Sequence, residues 1–169
     1  MLASEEPERL HAGVNIDVLI EVNVGANRCG VEPGQPVLEL ANRIAGAKHL
    51  RLVGLQAYQG AAQHLRQPAE RRTAIAKATQ QVRTTLEMLH EHGYRPEIVA
   101  GAGTGTYLNE ADSGIYNEIQ VGSYVFMDRD YADNAPAEGA PRFEHALFVK
   151  AQVISRADDH AVIDAGHKS

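Results

Sequence analysis

Gly101-Ala-Gly-Thr-Gly-Thr106 gathers the groups that an anion needs. Clustered glycines let successive backbone N–H groups turn toward one point, and threonine hydroxyls add donors, so a phosphate is the natural occupant. The run is neither a dinucleotide fingerprint nor a Walker loop. The third fingerprint glycine would fall on Thr106, no acidic residue closes a following strand, and no lysine follows. Spacing alone leaves a glycine-rich turn without a ligand equally open. Arg28, in Gly25-Ala-Asn-Arg-Cys-Gly30, could offer its guanidinium to a bound anion or phenolate, or be a surface arginine in a turn. Tyr58, followed by Gln59, Gly60, Gln63 and His64, could pack on a flat ligand or sit in the core with its hydroxyl satisfied. The histidines form no metal set, since His90 and His92 stand two apart on a helix and diverge. Asp128, Asp130 and Asp133 lack the glycine and distal glutamate of a calcium loop and read as a solvated acidic stretch.

These residues must be held by elements that alternate. Asp17 to Val24 (DVLIEVNV) is an apolar, β-branched run that ends in Gly-Ala-Asn, as a strand entering a loop does. After Glu32-Pro33-Gly34, Val37, Leu40, Ala41, Ile44 and Ala45 share one helical face, and Gly46 is placed to stop the helix. Leu50 to Tyr58 reads as a second strand. Pro68 suits the first turn of a helix in which Ile75, Val82, Leu86 and Leu89 recur, and Gly93 ends it. Glu97 to Ala100 is a short strand running into the glycine loop. A helical turn or two at Tyr107 to Asp112 and a fourth strand near Glu118 to Val121 follow. Alternation of this kind predicts an α/β fold of parallel strands, with ligands gathered at the carboxyl ends of the strands.

Beyond Met127 the pattern changes. Asp128 to Pro141 reads as a loop or linker, and Phe143 to Ser155 and Ala161 to Asp164 as two strands joined at Asp158-Asp159 with no helix between. The expected division is therefore 1–127 for the α/β part, 128–142 for the linker and 143–169 for the start of a β domain.

The 169 residues are 44% hydrophobic and 22% charged, which excludes a disordered or fibrous chain. The net charge of −6 comes from dispersed side chains, poor material for a nucleic-acid groove. Cys29 is the only cysteine, which rules out an internal disulfide and fits a reducing cytoplasm. Met1 to Glu8 lacks the basic and apolar character of a signal peptide, and no apolar window reaches membrane-span length.

The stretches LIEVNVGANRCGV, LRLVGLQAYQGAAQH, GAGTGTY and EIQVGSYVFMDRDY, in this order and spacing, resemble the D-threonine aldolase family and its relatives, D-3-hydroxyaspartate aldolase and metal-dependent D-serine dehydratase. VFMDRDY with FEHALFV favours the aldolase branch. The resemblance implies a (β/α)8 TIM barrel of the alanine racemase type followed by a β domain, with the four strands here as about the fifth to the eighth. It also implies pyridoxal 5′-phosphate as cofactor. Arg28 would then donate to the phenolic oxygen, Tyr58 would pack against the ring, and Gln120 would lie near the ring nitrogen. Thr104, Gly105 and Thr106, with Gly122 and Ser123, would bind the phosphate. The implied reaction is retro-aldol cleavage of a D-3-hydroxy-amino acid to glycine and an aldehyde, in a cytoplasmic homodimer without nucleic-acid or membrane partners.

The family's covalent lysine opens the first barrel strand, and none of Lys48, Lys77, Lys150 or Lys168 occupies such a place, so no catalytic residue is assigned. The divalent metal of the family, Mn, Mg or Zn, would have its ligands beyond Ser169. The chain thus reads as a fragment, expected to be inactive alone and marginally stable or self-associating. A non-catalytic pyridoxal-phosphate carrier of the same barrel type is the alternative, against which Phe143 to Asp164 speaks, because such carriers lack a β domain. A nucleotide-binding α/β module using GAGTGT as its phosphate loop is a further one.

Overall fold

The computed structural model describes residues 13–166. The Met1 to Glu8 stretch and Lys168 lie outside the described residues. Four parallel strands form one sheet in the order β1 (Ile16–Glu21), β2 (Leu50–Gln56), β3 (Ile98–Gly101), β4 (Glu118–Ile119). Helices α1 (Gln35–Gly46), α2 (Pro68–Glu91) and α3 (Tyr107–Ala111) join them in turn. Sequential parallel strands with intervening helices are the repeating unit of a (β/α)8 barrel, so the architecture is that expected of part of one. Neighbouring strand ends are locked by side chains as well as by the ladder. Asp17 stands opposite Arg51 in register, and the guanidinium donates to both carboxylate oxygens at 2.7 and 2.6 Å.

Sequence dictates where the helices start and stop. Pro68 opens α2, where its missing N–H is no loss, and the Gln67 amide donates to Glu70 Oε2 at 3.2 Å. The same helix ends in a Schellman turn. Gly93 takes φ 86°, its amide donates to His90 O, and Tyr94 N donates to Leu89 O at 2.9 Å. Helix α1 buries Val37, Ala41 and Ile44 as its spacing predicts, but the face is turned so that Leu38 is buried, Leu40 half-buried and Ala45 exposed. With Ile20 and Val22, Leu55 and Val99 of the sheet, and Ala78, Val82 and Leu89 of α2, this face forms the core.

Three expectations need correction. The first and second strands are shorter than their apolar runs, ending at Glu21 and Gln56, because the chain leaves the ladder to build the loops at the sheet's carboxyl edge. Only an isolated bridge, Val22 with Val31, carries the first run further. The 128–141 stretch is not merely a loop. Residues Arg129–Ala132 form a helical turn, α4, capped by Asp128, whose Oδ1 accepts from Tyr131 N at 2.8 Å. Phe143 to Gln152 is not strand. It forms no ladder, being tied only at single points such as Ala146 N to Phe126 O at 2.8 Å, with Leu147, Phe148 and Val149 exposed, and strand pairing begins in the hairpin of β5 (Val153–Arg156) and β6 (Ala161–Ile163). An apolar, β-prone run cannot be a sheet strand without a neighbour to complete its ladder.

Among the described residues no helix is long and apolar enough to cross a membrane.

Candidate functional site

All four carboxyl ends of a parallel sheet share one rim, and the loops leaving it are tightly built. After β1, Asn23 Oδ1 accepts from Gly25 N at 3.2 Å and Asn27 N at 3.0 Å, an Asx turn that folds the loop back. Asn23 N and Val31 O close its base at 2.8 Å. Arg28 is carried at the top. Its guanidinium carbon lies 5.6 Å from the centroid of the Tyr58 ring, and Nη2 stands 3.6 Å from Glu21 Oε1. Cys29 donates to the same carboxylate oxygen at 3.0 Å. The neighbouring Cys29 and Glu21 side chains raise the Arg28 pKa further, which leaves it a permanent cation.

Tyr58 in turn lies against the glycine loop after β3. A Cβ at Gly103 would come within 3.2 Å of its ring, and within 2.5 Å of Gln63 Oε1, so only glycine fits this approach. Gly105 is pressed still closer, with 2.4 Å left between its Cβ position and the Gln63 carbonyl. Within the loop Gly105 N donates to Gln63 Oε1 at 3.0 Å, and the Thr106 and Tyr107 amides both donate to Gly103 O. Those three amides shape the loop. On the rim the Thr104 hydroxyl oxygen accepts from Tyr124 N at 3.1 Å and keeps its proton to give.

That contact joins the loop to the turn after β4, where Gly122 precedes the 3₁₀ turn Ser123–Val125. Tyr131, on α4, closes the cluster. Burial raises its hydroxyl pKa most, and it interacts with both Tyr58 and Ser123. Arg28, Tyr58, Thr104 and Ser123 are thus linked one to the next, by the Tyr58–Gly103 contact on one side and Tyr131 on the other. Gln120 stands at the end of β4, accepting from Gln56 Nε2 at 2.7 Å and donating to Glu118 at 3.2 Å.

Thr106 faces the other way. It is 2% exposed, its hydroxyl accepts from Gln63 Nε2 at 2.8 Å and donates to Glu110 Oε1 at 2.7 Å, so no group of this side chain remains for a phosphate. In this structure the side chain braces the loop from behind.

Sequence reasoning missed the α4 residues. Asp130, expected in a solvated acidic stretch, receives Arg66 and sits 2.6 Å from His64 Nδ1. The His64 and Tyr131 rings are 5.0 Å apart. Arg66 and its hydrogen bond hold the Asp130 carboxyl below the usual range. An aspartate beside an aromatic in MDRDY was the available signal. A cavity of about 370 Å³ opens on the flank of this region, lined by Arg71, Thr104, Tyr107, Tyr131 and Phe143 among others. Arg28, Tyr58 and Gln120 stand outside it, on the open rim. Among the described residues no group of three or more His, Cys, Asp or Glu is placed to hold a metal ion.

A cation over an aromatic face, a hydroxyl donor and a glycine-backed platform suit a flat ring that carries an anionic group. Residues 2–130 match the family model described as alanine racemase, N-terminal domain. The chain is 43% identical over 162 residues to the 3-hydroxy-D-aspartate aldolase of Paracoccus denitrificans, covering 93% of this chain and 42% of that one. It is 42% identical over 161 residues to a D-threonine aldolase of Arthrobacter sp, covering 95% of this chain and 42% of that one. The crystal structure of D-threonine aldolase from Filomicrobium marinum superposes with a TM-score of 0.87 at 51% identity, over 92% of this chain and 43% of that one. The chain therefore spans less than half the length of each of these proteins.

Proposed function

The chain belongs to the alanine racemase N-terminal domain family, and from that premise we propose that its rim binds pyridoxal 5′-phosphate as part of an aldolase that cleaves D-3-hydroxy-amino acids to glycine and an aldehyde. Support comes from the aldolases it resembles at 42 and 43% identity and from the fit of the rim residues to the cofactor's parts. The observation that carries the reading is Arg28 held over one face of Tyr58, with the glycine loop at the ring's edge.

When bound, the cofactor supplies an electron sink for the broken carbon–carbon bond. Arg28 contributes a fixed positive charge that orients a phenolic oxygen and keeps it ionised. Tyr58 offers its face to the ring and fixes the depth at which it sits. The Thr104 hydroxyl donates to the phosphate, with Gly105, Gly122 and Ser123 shaping the turn around it. Gln120 approaches the ring nitrogen from the end of β4. Thr106 acts through its contacts with Gln63 and Glu110.

Among the described residues Lys48 precedes β2, Lys77 lies on α2 and Lys150 lies ahead of β5, and none follows the carboxyl end of a sheet strand. In this reading binding by the described residues is non-covalent. The described residues do not fit a divalent metal, and no step is derived through one. In the same reading the division at residues 127 and 142 separates the cofactor-binding part from the start of a β domain, and the complete enzyme is a cytoplasmic homodimer acting on small D-amino acids. Titration with pyridoxal 5′-phosphate, followed by its visible absorbance, tests the site. Saturable binding that Arg28→Ala weakens at least tenfold is expected, and binding equal in the variant would overturn it. Release of glycine and acetaldehyde from D-threonine by the complete polypeptide tests the reaction.

A further inference from the structure

Behind the glycine loop lies a chain of buried polar groups that the cofactor reading does not use. Gly105 N donates to Gln63 Oε1 at 3.0 Å, Gln63 Nε2 donates to Thr106 Oγ1 at 2.8 Å, and Thr106 Oγ1 donates to Glu110 Oε1 at 2.7 Å. Gln63 is 0% exposed, Thr106 2% and Glu110 1%. The chain ends at Glu110, where Oε2 is buried without a hydrogen-bond partner.

A buried carboxylate requires a counter-charge or several donors to offset its desolvation. Glu110 has neither. The Thr106 hydroxyl reaches Oε1 and the residue's own backbone amide adds a weaker contact, and the titratable group that faces it is the Tyr116 phenol, which is itself 7% exposed, neutral and donates to Ala57 O at 3.1 Å. The other groups along the chain, Thr106 and Gln63, carry no charge. We propose that Glu110 is a positioning residue that works as a neutral acid: through Thr106 and Gln63 it fixes Gly105 and the loop that presents Thr104 to a phosphate. The inference rests on the proposed phosphate-binding role of that loop. Burial pushes the Glu110 carboxyl from 4.5 up to about 7, against the pull of the Thr106 hydrogen bond. Ionisation near neutral pH would set a negative charge behind the loop and break the arrangement from its far end.

The test uses the full chain, Glu110→Gln, which retains a neutral acceptor for Thr106, and Glu110→Ala, which does not. Without ligand, the wild-type thermal midpoint should fall by roughly 6 °C or more relative to Glu110→Gln between pH 5 and pH 8. The Gly105 amide should keep its hydrogen-exchange protection in Glu110→Gln and lose it at least tenfold in Glu110→Ala. Equal pH slopes in wild type and Glu110→Gln, or equal loss of protection in both variants, would overturn the proposal. If Glu110→Ala does not fold, the contrast between wild type and Glu110→Gln still decides. With pyridoxal 5′-phosphate, wild-type affinity should weaken about tenfold more than that of Glu110→Gln from pH 6 to pH 8. If neither protein binds this probe, the cofactor reading fails, while the ligand-free measurements judge Glu110 on their own.

Discussion

Arg28 and Tyr58, from loops after two adjacent strands, are held with the guanidinium carbon 5.6 Å from the ring centroid. Neither residue contributes to the core, so the pair can be altered without unfolding the sheet. Tyr58→Leu should weaken pyridoxal 5′-phosphate binding about tenfold and lower the unfolding free energy measured in urea by less than about 1 kcal/mol, the size of an exposed cation–π contact. Absorbance titration and equilibrium unfolding check the two halves of this statement.

Gly105→Ala should act on the loop itself. The new methyl would meet the Gln63 carbonyl at 2.4 Å, and that carbonyl is held by Asn134 Nδ2 at 2.8 Å, so it cannot give way freely. A loss of about 1 to 3 kcal/mol is expected from overpacking of this kind, read by urea unfolding. Phosphate affinity should fall with it.

Asp130 gives the opposite pH dependence from Glu110. Its carboxyl is held below the ordinary 3.8, first by its hydrogen bond to Arg66 and also by His64. The pairing is present above that ordinary value and is lost as pH falls through the lowered one. Because the groups are exposed, the effect is local: α4 should detach while the sheet stays folded. Asp130→Asn should therefore be cleaved at Arg129 faster than the wild type at pH 7, with the global midpoint unchanged.

Leu55 lies near the carboxyl end of β2 and is 0% exposed. Leu55→Ala should cost about 2 to 5 kcal/mol, the usual range for a large-to-small change where the neighbours cannot collapse. Equilibrium unfolding of the variant measures it.

The alternation of strand and helix was legible because each element carries its own periodicity and its own stop. The Val37, Ala41 and Ile44 face of α1 and the Pro68 and Gly93 ends of α2 are local facts, readable one turn at a time. The rim was legible for the same reason, since parallel strands bring their ends together whatever fills the loops. Where Thr106 points was not. A threonine beside two glycines offers the same hydroxyl to solvent or interior, and the choice is made by Gln63 and Glu110, one far upstream and one a helical turn later. Asp130 is solvated as its acidic surroundings suggested, but its ion pairs were not legible, because Arg66 and His64 lie on a segment that only folding brings near. Phe143 to Gln152 shows the limit of β propensity, which marks a segment able to pair but says nothing of what it pairs with.

That segment has a practical consequence. Leu147, Phe148 and Val149 stand side by side, 65 to 78% exposed, in a proline-free extended run. Such a run is a template onto which a like segment from another molecule can add edge to edge, amide to carbonyl. Three adjoining oily side chains are what such an addition would cover, and the overall negative charge of −6 works against the encounter.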